Sequence, residues 1–136
     1  MTRTLTIQNE IGQLPVIHEF LQQIADDAKL SESISMNIKL AVEEAVVNVI
    51  SYAYSGEKNK PIDISVRYEK GQMRITIVDS GIAFDPISNL EPDVTLPLEE
   101  RPIGGLGTFL YKQLMTEVSY VRSGNKNVLT MIKDIN

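Results

Sequence analysis

A chain of 136 residues with 43% hydrophobic content has the length and composition for one domain around its own core, and a charged content of 23% argues against disorder. A net charge of −5 with scattered Lys and Arg disfavours a general nucleic-acid binder, and the lack of any cysteine excludes disulfides and thiolate metal sites. No apolar run approaches the roughly 20 residues of a membrane span, and no basic start leads into an apolar stretch, so a cytoplasmic protein without a signal peptide is expected.

Taken in chain order, Thr4, Thr6 and Gln8 alternate with Leu5 and Ile7, which predicts a short strand with one apolar face. Leu14, Ile17, Leu21, Ile24, Ala25 and Ala28 then recur at helical spacing, with Pro15 acceptable in the first turn. Ser31 and Ser33 are N-cap candidates for a second helix, whose stripe is Ile34, Ile38, Val42, Ala45, Val46, Val49 and Ala53. Residues 56–60 form a polar turn. Ile62, Ile64 and Val66, then Met73, Ile75 and Ile77, alternate with polar residues on either side of Lys70-Gly71, which predicts a hairpin ending at Asp79. Periodicity lapses from Ser80 to Gly104, where four prolines fall, and a long aperiodic stretch in a small domain is a lid candidate, placed at about 82–104. Phe109, Leu110, Leu114 and Met115 predict a third helix, Val118, Tyr120 and Val121 a strand, and Val128, Thr130 and Ile132 a last strand. The order β-α-α-β-β-lid-α-β-β predicts an α/β two-layer sandwich over residues 1–136, a mostly antiparallel sheet covered on one face by three helices.

Three short constellations carry candidate chemistry. Glu44 and Asn48 are four apart on the second helix, on the margin of its apolar stripe. A carboxylate there can take a proton, and a carboxamide oxygen suits Mg²⁺, although the same pair is also what a solvated helix edge presents. Asp79-Ser80-Gly81-Ile82-Ala83-Phe84 puts an acid at the end of an apolar strand, where it can accept from the exocyclic amine of a base or simply shape a turn. Gly104-Gly105-Leu106-Gly107, followed by Thr108 and a helix, offers backbone N–H groups to phosphate, yet it is neither a Walker A loop nor a dinucleotide fingerprint.

In order and spacing, the three together resemble the GHKL, or Bergerat-fold, ATPases, over nearly the whole chain. Glu44-Ala-Val-Val-Asn48 looks like that family's N-box, Asp79-Ser-Gly81 like its first glycine box and Gly105-Leu-Gly107 like its second. The branch with the strongest resemblance is that of the small anti-sigma-factor serine kinases, through Glu-Glu-Ala-Val-x-Asn with Tyr54 six residues after the Asn, Gly-Gly-Leu-Gly through Leu114-Met115, and the ending Asn127-Val-Leu-Thr130. The resemblance implies ATP and Mg²⁺ as cofactors, Glu44 as catalytic base and Asn48 as Mg²⁺ ligand. It further implies Asp79 as acceptor for the adenine amine with help from Thr130, Gly81 as the opening for adenine, and Gly104, Gly105, Leu106, Gly107 and Thr108 around the phosphates. Where the family usually has a second glycine this chain has Ala83, where a His often follows the N-box Asn it has Tyr52, and where some members have an Arg it has Ile103, with Arg101 the nearest guanidinium. As partners the resemblance implies an anti-anti-sigma antagonist that is phosphorylated and a sigma factor that is sequestered, and it allows a homodimer. Ile103 keeps open an alternative, an ATP-binding regulatory module that switches protein partners without phosphoryl transfer. His18, the only histidine, reads as a surface or half-buried residue of the first helix.

Overall fold

The structure, a computed structural model, describes residues 2–87 and 111–135. Strict alternation builds the strands. In β1 (Thr2–Gln8) the inward positions are Arg3, Leu5 and Ile7; in β2 (Pro61–Glu69) they are Ile62, Ile64, Val66 and Tyr68; in β3 (Gln72–Asp79) they are Met73, Ile75, Ile77 and Asp79. β4 (Glu117–Ser123) and β5 (Lys126–Asp134) complete one sheet of order β1-β2-β3-β5-β4, in which every neighbouring pair is antiparallel. The predicted hairpin turn is a two-residue loop with Lys70 at φ 53° and Gly71 at φ 74°, the pair of positive values that matches strand twist.

One face of this sheet is covered. A 3-10 turn at Ile11–Gln13 leads into α1 (Leu14–Asp27), and α2 (Glu32–Asn48) starts at Ser31, whose hydroxyl accepts from the Ile34 N–H at 3.2 Å. Ile17, Leu21 and Ile24 of α1 and Ile38, Val42, Ala45 and Val46 of α2 form one core with Ile64, Ile75, Ile77 and Met131 of the sheet. Tyr111 and Met115, in and just after the described part of α3 (residues 111–114), join the same core. The sequence stripe of the second helix runs on to Ala53, but the backbone does not stay α-helical: Val49–Ala53 is a π-helical turn, a widening often found where a helix serves a site.

The other face is wet. Thr4 pairs with Ser65, Ser65 with Thr76, Thr76 with Thr130 and Thr130 with Ser119, a row of hydroxyl residues crossing all five strands. A sheet with one hydroxyl-bearing face and one apolar face needs helices on one side only, so two layers suffice. Of the lid expected at about 82–104, residues 82–87 follow β3 without regular secondary structure, and the rest lies outside the described residues.

Candidate functional site

The site is built where α2 and its π-helical extension meet the end of β3. Glu44 and Asn48 share one margin of α2, turned away from the α1 seam that His18 and Glu43 line, at 3.6 Å from each other. Glu44 is half-buried, and burial pushes its carboxyl above the ordinary value of 4.5, with the Glu43 charge adding in the same direction. A carboxylate shifted that way is a better proton acceptor near neutrality. Asn48 is buried, and its Nδ2 donates to the hydroxyl of Tyr111 on α3 at 2.7 Å. Among the described residues nothing donates to Asn48 Oδ1. That uncommitted neutral oxygen fits a hard cation. Among the described residues no group of three or more His, Asp or Glu gathers to hold a metal.

Asp79 closes β3 on the core side of the sheet. Its Oδ1 accepts from Gly81 N at 2.9 Å and from Asn127 Nδ2 at 2.8 Å, which leaves Oδ2 for a ligand donor among the described residues. Burial holds the Asp79 carboxyl above its ordinary 3.8, offset in part by the Asn127 and Gly81 hydrogen bonds and by the Arg122 charge. The turn after it is clamped from three elements. Tyr54, just past the π-helical turn, accepts from Ser80 N at 2.7 Å and donates to Pro61 O at 2.7 Å. Ala53 O accepts from Ile82 N at 2.9 Å. From β5, Asn127 Nδ2 also donates to Ile82 O at 2.8 Å while its Oδ1 accepts from Phe84 N and Tyr120 OH, and from β4 Arg122 donates to Gly81 O at 2.8 Å. Tyr52 of the π-helical turn stacks on Phe84, ring centres 5.0 Å apart.

These contacts sort the sequence expectations. Glu44 with Asn48, and Asp79 with Gly81, lie where expected, on two elements joined through Ala53 and Tyr54. Gly81 has a packing reason of its own: a Cβ there would stand 2.3 Å from Ala53 O and 2.5 Å from Ala53 C, so glycine is demanded by the π-helical turn before any ligand arrives. Ala83 is exposed with no positive φ, so the second glycine of the motif is not required by the backbone here. Thr130 is not brought beside Asp79. It pairs with Thr76 and Ser119 on the wet face, one residue out of phase with Asp79, and the residue opposite Asp79 is Asn127. Asn127, Tyr111 and Arg122 received no role from their residue types; Asn127 shares the parity of Leu129 and Met131, which only the packing shows to be the core face. Arg101, Gly104, Gly105, Leu106, Gly107 and Thr108 lie outside the described residues.

The model of the histidine kinase-like ATPase domain family matches residues 7–133. Among curated proteins, the chain is 29% identical over 112 residues to the serine/threonine-protein kinase BtrW of Bordetella bronchiseptica, covering 82% of this chain and 79% of that one. It is 31% identical over 130 residues to the serine-protein kinase RsbW of Listeria monocytogenes, covering 87% and 83%. Among solved structures, the RsbU and RsbW domains of Rv1364c from Mycobacterium tuberculosis match with a TM-score of 0.72 at 14% identity, over 99% of this chain but 32% of that chain, so this chain spans about a third of its length. The SiaB-SiaC complex of Pseudomonas aeruginosa matches with a TM-score of 0.66 at 13% identity, over 94% and 88%. At those identities the structural matches speak for the fold.

Proposed function

As the chain belongs to the histidine kinase-like ATPase family, we propose that it is an ATP- and Mg²⁺-dependent protein serine/threonine kinase of the anti-sigma type, acting in the cytoplasm. The observation that carries the reading is the pairing of two prepared ends. One is the Asp79 carboxylate held by Gly81 and Asn127 with Oδ2 left for an adenine amine. The other is Glu44 and Asn48 on the adjoining helix margin, with Asn48 Oδ1 uncommitted among the described residues. The names of the relatives support protein serine as the acceptor.

In this mechanism Asp79 Oδ2 accepts from the adenine amine, and the clamped turn excludes water from its back. Glu44 takes the proton of the substrate serine hydroxyl as its oxygen bonds the γ-phosphorus, the bond to the bridging oxygen breaks, and ADP leaves with that electron pair. Asn48 would hold Mg²⁺, which would supply neutralisation of charge on the phosphate oxygens. Gly104 to Thr108 and Arg101 are proposed to close on the phosphates. The acceptor is proposed to be an anti-anti-sigma antagonist, with a sigma factor as the sequestered partner and a homodimer as the working form.

Incubation with radiolabelled ATP and antagonist-type proteins from the same cell, followed by phosphosite mapping, tests the reading. Label on an antagonist serine or threonine is the expected result. Nucleotide-dependent capture of the same partner without label would replace it with the alternative that Ile103 keeps open, a regulatory module that exchanges partners without transfer. The SiaB-SiaC complex, a fold relative bound to another protein, agrees with partner exchange under either outcome.

A further inference from the structure

We propose that Tyr111 is a positioning residue for the metal end of the site: its phenol oxygen accepts from Asn48 Nδ2 and so commits the Asn48 carboxamide to present Oδ1 to a divalent cation. The inference rests on Asn48 being the cation ligand. The two ends of a carboxamide are nearly alike in shape, and only the hydrogen bonds around it decide which end faces which way. At Asn48 that choice matters, since an NH₂ group turned toward a cation repels it and an oxygen ligates it.

The geometry supplies the choice. The Nδ2-to-phenol separation is 2.7 Å, and the two residues are 3% and 1% exposed, so bulk water cannot take over the bond. A phenol can accept or donate, and toward a carboxamide NH₂, which only donates, its oxygen accepts. Tyr111 and Asn48 are 63 residues apart in the chain. Their bond therefore ties α3, which follows the Gly104–Gly107 segment in sequence, to the helix that carries the proposed ligand and base.

The test compares ATP affinity by calorimetry with Mg²⁺ and with EDTA, for wild type, Tyr111→Phe and Asn48→Ala. Tyr111→Phe should keep its EDTA affinity and lose roughly fivefold to tenfold of the Mg²⁺-dependent gain, the scale of one buried donor left without its partner. Asn48→Ala should lose the gain entirely. If Asn48→Ala loses it while Tyr111→Phe keeps it, the positioning role is overturned and the ligand assignment stands. If Asn48→Ala also keeps it, the ligand assignment falls and takes the positioning role with it. Equal losses with Mg²⁺ and EDTA in Tyr111→Phe mark a merely structural tyrosine and overturn the proposal. A measurement on the wild-type protein covers a variant that does not fold: the Asn48 side-chain NH₂ protons should exchange with water far more slowly than those of exposed asparagines. Exchange at the exposed rate would overturn the proposal by itself.

Discussion

An ionised Asp79 is a cost to the empty protein. Its folded-state titration is raised above 3.8, chiefly by burial. A raised value means the group favours the folded state most below the unfolded titration and loses that contribution as pH rises through the folded one. At neutral pH the carboxylate is therefore held for a purpose other than stability. Asp79→Asn can keep both inward hydrogen bonds through its Oδ1, from Gly81 N and Asn127 Nδ2, while placing NH₂ where Oδ2 stood. The expected outcome is a variant that melts at or above the wild-type temperature at pH 7, loses that advantage toward acid pH, and binds no ATP in calorimetry. ATP affinity equal to wild type in a folded variant would end the adenine assignment. Glu44 is raised from 4.5 by burial first and Glu43 second, so the acid limb of kcat against pH should lie above that value. Glu43→Gln should move the limb down by removing the like charge. Glu44→Ala should bind ATP and lose roughly 10²- to 10⁴-fold in transfer rate; a wild-type rate on a mapped substrate would exclude Glu44 as the base.

The elements meet most tightly where the π-helical turn touches the end of β3, and that contact sets the identity of Gly81. Its missing Cβ leaves room for the Ala53 carbonyl, which is backbone and cannot rotate aside. Gly81→Ala must push the turn off Ala53, break the bond from Ile82 N to Ala53 O and strain the Tyr54 clamp on Ser80. Overpacking of this kind costs about 1 to 3 kcal/mol, so urea unfolding should show a loss in that range together with weakened ATP binding. Ala83→Gly, at an exposed position in the same turn, should leave affinity unchanged. Gly81→Ala with full stability would mean that the contact relaxes freely. Much at this scale was legible in the sequence: Ser31 as one of two cap candidates, Lys70-Gly71 as the hairpin turn and Asp79 as the last residue of its strand all follow from local chemistry. The π-helical turn was not, because Val49 and Ala53 keep an apolar helical spacing whichever way the backbone hydrogen bonds run. Nor was the bond between Asn48 and Tyr111, which depends on how two distant helices pack.

At the scale of the whole molecule, one two-layer arrangement decides which side of β5 belongs to the site. Both parities of that strand carry apolar residues, Val128 and Ile132 on one, Leu129 and Met131 on the other, so the sequence alone does not fix its phase. Packing does: Leu129 and Met131 face the helices, Asn127 follows them, and Thr130 faces solvent in the hydroxyl row of Thr4, Ser65, Thr76 and Ser119. Two variants three positions apart on β5, and so on opposite faces of the sheet, should therefore behave oppositely. Thr130→Val removes a hydroxyl from a wet face, far side from Asp79, and should change stability by no more than about 0.5 kcal/mol with ATP affinity unaltered. Asn127→Ala removes the donor to Asp79 Oδ1 and Ile82 O and the acceptor for Phe84 N and Tyr120 OH at once. It should lower stability and weaken ATP binding together, since the turn that presents Asp79 loses its β5 anchor. Calorimetry and thermal melts on the pair decide the matter. If Thr130→Val weakens ATP binding while Asn127→Ala does not, the adenine lies against the other face of the sheet, and the placement of the site between α2 and the end of β3 is wrong.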